Sequence, residues 1–406
     1  MNMIRDFKWL TRLANVFFVL LLVGCGGSKH RDPIVGESPG ASSKNAISSS
    51  QTSASAKSSL SSLAASSVKS SVASTGVASF NKVNISAPSL SANLIAEPLN
   101  RNLLIYLPKA YYTSTAPLPV IYYLPGFGDQ TMLDVAIPED LNTAFNTLHP
   151  SIIVVVEGVN RFAGSFFVDS GTTGNWAQFV LKDVVEYIDN NYRTIPNNKY
   201  RGIAGHSMGG FGALNLAMRH PEVFGSVFAI SPGLVGSAGI VDTQMFDSPA
   251  HIKAFVKSIE PIKALSPADA LSALLQNPEY FDMAYGMAFA PKSTPPFFEY
   301  PYSLVNDVLV QDDAILAKWE AGFGAVNSEV SEFSANLASL NGLGLDCGIN
   351  DEYQWIKRGC DYFDTELSAN HIVHTYTTHT GGHQDQLRKR ILTVMLPFFS
   401  EHFSDQ

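Results

Sequence analysis

Blocks of apolar and polar residues divide the chain, from about residue 100, into strands and helices. Three continuous apolar runs are typical of buried strands: NLLIYLP (102–108), the start of PVIYYLPGFGD (119–129) and SIIVVVEG (151–158). Between residues 178 and 192, apolar side chains recur every three or four positions, which predicts an amphipathic helix. Strands at 200–204 and 225–231 enclose a predicted helix at 208–218. This alternation indicates an α/β fold with a doubly wound, mainly parallel sheet.

The last part of the folded region repeats this alternation after a long insertion. We predict a strand end in LGLDCGINDEY (343–353), a strand in HIVHTYTT (371–378) and a helix in LRKRILTVMLPFF (387–399). About 110 residues separate Pro232 from Gly342, and so long a connection is typical of a cap over a site, at 233–342. Its aromatic stretch, 277–302, either forms a binding wall or packs the cap onto the core.

The first 25 residues have the pattern of an export signal. A basic start is followed by the apolar run LANVFFVLLLVG (13–24), which is too short to span a bilayer with ease. The run ends at Cys25 and resembles the lipobox of bacterial lipoproteins, which implies a lipid-bearing Cys25 and a membrane anchor. The alternative is an ordinary secretory signal with an incidental cysteine. Because no Asp follows Cys25, we expect the outer membrane or cell surface.

Residues 26–79 read as a disordered tether. Serine dominates the stretch from Ala41 to Thr75, and aromatic residues are absent from it. Such a composition cannot bury enough apolar area to offset the entropy of ordering the chain. The catalytic domain is therefore expected at 80–406.

Composition excludes several function classes. The chain of 406 residues has a net charge of −9, and without a cluster of lysine and arginine it has no nucleic-acid footprint. No His/Cys/Asp cluster has zinc spacing and no phosphate-binding Gly-rich motif occurs, so no metal or cofactor is implied. Besides Cys25, only Cys347 and Cys360 remain, either as a disulfide or as two buried thiols.

The segment GIAGHSMGGFGA (202–213) places Ser207 between a predicted strand and a predicted helix. This is the context of a nucleophile elbow, a strained turn that lifts the serine hydroxyl above the sheet. Gly205 and Gly209 fit that turn because a Cβ there would clash with its neighbours. The tetrahedral oxyanion needs backbone N–H donors, which we expect from Met208 and from Phe127 in the early loop PGFG.

An acid and a histidine should follow the serine in chain order. Asp351 is favoured as the acid because it lies in a loop from which it can reach a histidine. Asp346, at the strand end, is the alternative acid, and it could instead make only a structural hydrogen bond. Glu352 is a third carboxylate in this segment. His383 and His379 occupy the loop before the last helix, and His383 is favoured because it is nearer the helix.

Other candidates have less specific roles. His371 and His374 fall on the predicted last strand and are expected to be structural. His206 is a packing or pocket-wall residue, and Trp176 lines either the substrate pocket or the core.

Five segments together resemble the esterase D family of α/β-hydrolases: YLPGFGD, GNWAQFVLKDVVEYIDNNYRTIP, RGIAGHSMGGFGALNLAMRHPEVF, LDCGINDEY and GGHQD. The resemblance implies an α/β-hydrolase fold, a Ser207–Asp351–His383 triad and an oxyanion hole at Phe127 and Met208. The chain departs from the family at Pro125, where many relatives carry histidine, and at Glu157-Gly158, where relatives often have Pro-Asp-Gly.

The predicted function is a surface-tethered serine carboxylesterase acting through an acyl-serine intermediate. Export and the tether point to acyl, acetyl or feruloyl esters of polysaccharides, with small-molecule esters also open. An acyltransferase and a serine peptidase of the same fold, and a non-catalytic surface binding module, are the alternatives. The acyl group, the alcohol and the oligomeric state are not encoded in any motif.

Overall fold

A central sheet of eight strands organises the computed structural model, which describes residues 79–129 and 137–404. All of these residues lie in one contact-defined unit, Val68–Gln406. In chain order the strands are β1 (Ser79–Ser86), β2 (Asn100–Leu107), β3 (Val120–Leu124), β4 (Ile152–Val156), β5 (Asp169–Ser170), β6 (Gly174–Asn175), β7 (Arg201–His206), β8 (Ser226–Ile230), β9 (Tyr302–Val305), β10 (Val308–Gln311), β11 (Gly342–Gly348) and β12 (Thr375–His379).

The order of strands across the central sheet is β1-β2-β4-β3-β7-β8-β11-β12. β2 is antiparallel to both β1 and β4, and every other pairing is parallel. The predicted mainly parallel, doubly wound sheet is therefore confirmed. The antiparallel strand β1 was not predicted, since its sequence FNKVNIS alternates polar and apolar residues only from Lys82 onward.

Helices cover both faces of this sheet and fill the long insertion. They are α1 (Lys109–Thr113), α2 (Pro138–Ala144), α3 (Trp176–Gln178), α4 (Val185–Asn191), α5 (Met208–Arg219), α6 (Pro249–Ile259), α7 (Pro267–Leu274), α8 (Tyr280–Phe289), α9 (Asp313–Glu320), α10 (Val326–Glu332), α11 (Ser334–Ser339), α12 (Gln354–Ala369), α13 (Leu387–Arg390) and α14 (Leu396–Ser404). Turns of π-helix, Phe179–Val184 and Ile391–Met395, join α3 to α4 and α13 to α14.

The two apolar cores explain why the strand sequences are continuously apolar. In β4, Ile152, Val154 and Val156 belong to the larger core. Ile153 and Val155 point to the other face, where they pack with α14. Because successive strand residues face opposite sides, a strand covered on both sides has no polar position.

The insertion predicted at 233–342 connects β8 to the neighbouring parallel strand β11. It holds α6 to α11 and the hairpin of β9 and β10. Within the described residues, none of the helices has both the length and the apolar character that crossing a membrane requires. The signal segment, Cys25 and nearly all of the tether lie outside the described residues.

The predicted last strand begins too early. β12 starts at Thr375, and His371 has a positive φ of 57° in a turn before it. His374 also precedes the strand, where its ring contacts the Ile372 carbonyl oxygen and Asp364. His374 therefore has the structural role expected of it, and neither histidine belongs to the strand, because this turn interrupts the extended backbone.

Candidate active site

Ser207 occupies the turn between β7 and α5 with φ 56° and ψ −118°. This left-handed φ is unfavourable for a residue with a side chain and is typical of strained functional turns. The turn is held by backbone hydrogen bonds, from Ser207 N–H to the Ile230 carbonyl (3.0 Å) and from Gly233 N–H to the Ser207 carbonyl (3.0 Å). The geometry is that of the predicted elbow.

Two glycines permit this turn because the backbone passes very close to them. A Cβ on Gly205 would lie 2.2 Å from the Gly209 carbonyl oxygen. A Cβ on Gly209 would lie 1.9 Å from the Leu124 carbonyl oxygen. The steric reason that the sequence suggested for these two positions is therefore confirmed.

The loops after β11 and β12 bring Asp351 and His383 together. Ile349 N–H donates to the His379 carbonyl (2.8 Å), and Asn350 N–H donates to the Gly381 carbonyl (3.1 Å). Parallel strands end at the same edge of a sheet, so residues a few positions beyond β11 and β12 become neighbours.

Asp351 and His383 form a buried hydrogen-bonded pair. The His383 Nδ1–H donates to Asp351 Oδ2 at 2.7 Å, and the two residues are only 6% and 1% exposed. Asp351 Oδ1 accepts a second hydrogen bond from Tyr353 N–H (2.8 Å). With the proton fixed on Nδ1, a neutral His383 presents the lone pair of Nε2, which is what a general base needs.

His206 connects this pair to the elbow. Its Nε2–H donates to the His383 carbonyl (2.9 Å), and the two rings lie 4.6 Å apart between centroids. Burial, and then the neighbouring His383, hold the pKa of His206 well below its usual range. A neutral His206 thus packs beneath His383 beside Ser207, which favours the packing role over the pocket wall.

Two further residues support His383 and were not assigned this role from the sequence. Glu352 accepts a hydrogen bond from the His383 backbone N–H (2.9 Å). The Tyr353 ring meets the His383 ring edge-on, with centroids 5.1 Å apart. Their only sequence signal is adjacency to Asp351, because whether a neighbour faces the histidine depends on the loop conformation.

Asp346 has a different environment. It is fully buried, and both of its carboxylate oxygens are bound by Arg390, at 2.6 and 2.9 Å. Thr377 Oγ1 donates to it at 2.5 Å, whereas His379 Nε2 stays 3.7 Å away. Asp346 therefore makes structural hydrogen bonds, as expected if it is not the acid that orients the histidine.

The proposed oxyanion donors lie on two segments that face each other near the elbow. Met208 is the first residue of α5, and its backbone N–H has no acceptor within its own helix at that position. Phe127 follows β3, and within the described residues its N–H makes no backbone hydrogen bond. A Cβ on Gly164 would touch both the Phe127 ring (2.4 Å) and the Met208 sulfur (2.8 Å), so the two side chains meet there.

Trp176 lies in the core rather than in a pocket wall. It is 0% exposed, its Nε1–H donates to the Thr173 carbonyl (3.0 Å), and the Arg101 guanidinium covers its ring. A side chain enclosed on all sides cannot line an open pocket, so that candidate role is corrected.

Most of the aromatic stretch 277–302 packs the cap. Tyr285, Phe297, Phe298 and Tyr300 are buried. Phe281 is the exception that approaches the candidate site, since its ring meets that of Phe127 edge-on at 5.0 Å. Most aromatic side chains of this segment therefore pack the cap onto the core rather than form a binding wall.

Cys347 in β11 and Cys360 in α12 are bonded to each other in the structure. Both are fully buried. The bond ties the strand that leads to Asp351 to the helix that follows it.

Comparisons with known proteins agree with this architecture. The family model described as putative esterase matches residues 98–296, which include Ser207 but end before Asp351 and His383. An esterase of Mycobacterium tuberculosis (strain CDC 1551 / Oshkosh) is 34% identical over 131 residues, 31% of this chain and 28% of the relative. The S-formylglutathione hydrolase of Paracoccus denitrificans (strain Pd 1222) is 40% identical over 73 residues, 16% of this chain and 25% of the relative. The chain thus spans under a third of the length of these curated relatives.

Solved structures match over most of the chain at low identity. A ferulic acid esterase superposes with a TM-score of 0.52 and 18% identity, covering 80% of this chain and 99% of its own. An S-formylglutathione hydrolase from Agrobacterium tumefaciens gives a TM-score of 0.50 and 15% identity, covering 82% and 98%. At such identity these likenesses show the fold alone. The chain has the α/β-hydrolase fold, and its matches support a hydrolase of the esterase class.

Proposed function

We propose that the chain is an exported, surface-tethered serine carboxylesterase in which Ser207, His383 and Asp351 form the catalytic triad. The observation that carries the proposal is the buried Asp351–His383 pair lying, through His206, against the strained turn of Ser207. A serine hydroxyl is a weak nucleophile until a neutral imidazole takes its proton, and the carboxylate orients that imidazole. The proposal assigns these roles to residues on the turns that follow β7, β11 and β12.

The reaction follows from these roles. Ser207 Oγ attacks the ester carbonyl carbon while His383 Nε2 takes the hydroxyl proton. The oxyanion that forms accepts hydrogen bonds from the Met208 and Phe127 N–H groups. Collapse expels the alcohol, which receives its proton from His383, and leaves an acyl group on Ser207. Water then attacks the acyl group with His383 as base, which releases the acid and restores Ser207.

For the substrate we propose acyl, acetyl or feruloyl esters of polysaccharides. The support is the combination of an export signal and a long serine-rich tether. An acyltransferase would use the same acyl-serine and differ only in the acceptor.

Hydrolysis of p-nitrophenyl esters, acetate through octanoate, and of feruloyl esters tests the activity. We expect turnover by the full chain and a loss of roughly 10⁴-fold or more in kcat for Ser207→Ala. A substantial rate that is unchanged in the variant would contradict the role of Ser207. If neither protein hydrolyses any ester, the esterase proposal fails and a binding module is favoured.

The anchor has its own test. Cys25→Ala should move the protein from the membrane fraction to the soluble exported fraction, because the acyl chains on Cys25 would be lost. Retention in the membrane fraction, measured by fractionation and immunoblot, would refute the lipid anchor without touching the triad.

A further inference from the structure

A second cluster of polar side chains lies in the cap and uses none of the residues of the candidate active site. His251 in the first turn of α6 meets Glu279 and Asp282 at the beginning of α8. One ligand atom from each residue lies within 4.8 Å of the others. His251 Nε2–H donates to Asp282 Oδ1 at 3.2 Å. An imidazole nitrogen and two carboxylates thus converge from two helices.

The burial of this cluster is uneven in a way that suits an ion-binding site. Asp282 is only 3% exposed, whereas His251 and Glu279 are partly exposed. His251 and Glu279 line a cavity of about 520 Å³ whose walls also include Phe255, Ile262 and Leu265. An ion would enter from the cavity and meet a carboxylate already removed from water. Room remains for water molecules as further ligands.

A second, independent observation comes from Tyr300. It is 8% exposed, and its hydroxyl has no hydrogen-bond partner among the described residues. Its ring packs edge-on against Phe255, with centroids 4.7 Å apart, and Phe255 lines the same cavity as His251 and Glu279. A buried hydroxyl without a partner is costly, and a carboxylate or water held by an ion would satisfy it.

The charge of the surroundings favours a cation. The donor set combines two carboxylates with one imidazole, so its net charge is negative when both carboxylates are ionised. Mixed imidazole and carboxylate donors suit zinc, manganese and related ions, whereas calcium is held by oxygen ligands alone. Ligands bound tetrahedrally at about 2.1 Å lie about 3.4 Å apart, so the most widely separated pair needs to close by at most about 1.4 Å.

We propose that His251, Glu279 and Asp282 bind a divalent transition-metal ion of the zinc or manganese class in the cap. The ion binds Nε2 of a neutral His251 that carries its proton on Nδ1: a doubly protonated ring releases its Nε2 proton to water, and a neutral ring moves it to Nδ1. The ion links the start of α6 to the start of α8. It is a structural ion that acts independently of the ester chemistry at Ser207.

The test is a calorimetric titration of the chelator-treated full chain with ZnCl2 and MnCl2, accompanied by melting curves. We expect one saturable site, and an increase in Tm of about 5 °C when the ion exceeds its Kd about 100-fold. Addition of CoCl2 should give visible absorption bands, which report imidazole and carboxylate ligation directly.

Variants locate the site. Glu279→Gln and His251→Gln, at partly exposed positions that should tolerate the change, are expected to weaken binding by about 10-fold or more. Glu260→Gln, which removes an exposed carboxylate of the same cap, is the control and should bind like the parent. If neither ion binds, or if both variants keep the affinity of the parent, the proposal is wrong. The same titration is repeated with CaCl2. Calcium binding that is lost in Glu279→Gln but kept in His251→Gln would overturn the transition-metal assignment.

Discussion

Two aspartate–histidine pairs lie on or just beyond the same two neighbouring strands, and only one of these two pairs has the geometry of a catalytic pair. Asp351 and His383 follow β11 and β12 and share a hydrogen bond of 2.7 Å. Asp346 and His379 lie within those strands, 3.7 Å apart. Asp346 is bound on both oxygens by Arg390, whose charge it neutralises. An aspartate already satisfied by an arginine and a threonine has little left to orient an imidazole.

The comparison shows that residue type and order along the chain are insufficient to identify a triad. Both pairs have the order acid then histidine, and both follow Ser207. What separates them is the position of each residue relative to the end of its strand. A residue just beyond the strand can turn toward the elbow, whereas a residue within it points into a face of the sheet.

The largest expected difference is between the two histidines. His383→Gln should lower kcat by roughly 10⁴-fold, because the base that activates Ser207 is removed. His379→Gln is the matched control and should change kcat by less than about 10-fold. The His379 ring accepts a hydrogen bond from Gly381 N–H (3.1 Å), which the amide oxygen of glutamine can also accept, so the triad should stay in place. Equal losses in the two variants, measured by steady-state hydrolysis, would break the distinction.

The two aspartates should separate activity from stability. Asp351→Asn should lower kcat by about 10⁴-fold with a small change in Tm, because the asparagine side chain no longer holds His383 in the tautomer that can accept the serine proton. Asp346→Asn should lower the free energy of unfolding by about 3 kcal/mol, since it leaves the partly buried Arg390 without its counter-charge. Urea unfolding and kinetics of both variants decide the matter. A catalytic defect in stable Asp346→Asn protein would argue against its structural role.

A substitution at Gly205 tests whether close backbone contacts hold the turn that carries Ser207. Gly205→Ala should lower the free energy of unfolding by about 3 kcal/mol or more, because its Cβ would enter the backbone of α5. Gly171→Ala is the control, since a Cβ there meets nothing within 4 Å. A Gly205→Ala protein as stable as this control would show that the elbow is looser than its contacts indicate.

The last test concerns the disulfide that begins at Cys347, between the two aspartates. Reducing Cys347–Cys360, whose closed loop is about 14 residues, should remove about 3 kcal/mol of stability and lower Tm by several degrees. A melting curve unchanged by a thiol reductant would mean that the bond does not contribute. Cys347→Ala combined with Cys360→Ala should melt like the reduced parent.

Much of the sheet was accessible from sequence because its strands are buried on both faces and therefore read as continuous apolar runs. The elbow was accessible as well, since its glycines are dictated by contacts within one short turn. β1 was missed because only Val83 and Ile85 keep the alternation of a half-buried strand, and two positions are too few to predict one. The start of β12 was misplaced because a positive φ at His371 interrupts an otherwise strand-like sequence.

The pocket and cap were the least predictable parts. Trp176 is equally compatible with a core and with a pocket wall as a residue type, and only its enclosure by Thr173 and Arg101 distinguishes them. The His251, Glu279 and Asp282 cluster joins two segments some thirty residues apart along the chain. No local pattern announces it, because side chains on different helices meet only through packing.

The sequence by itself determined the α/β alternation, the glycine-flanked turn of Ser207 and a short set of acids and histidines after it. These depend on periodicity and local sterics, which adjacent residues settle among themselves. Only the tertiary structure decided that Asp351 pairs with His383, that Arg390 binds both carboxylate oxygens of Asp346 and that Trp176 is buried in the core. Those outcomes depend on which loops meet at the edge of the sheet and on which charges burial leaves together, and both are set by packing between distant parts of the chain.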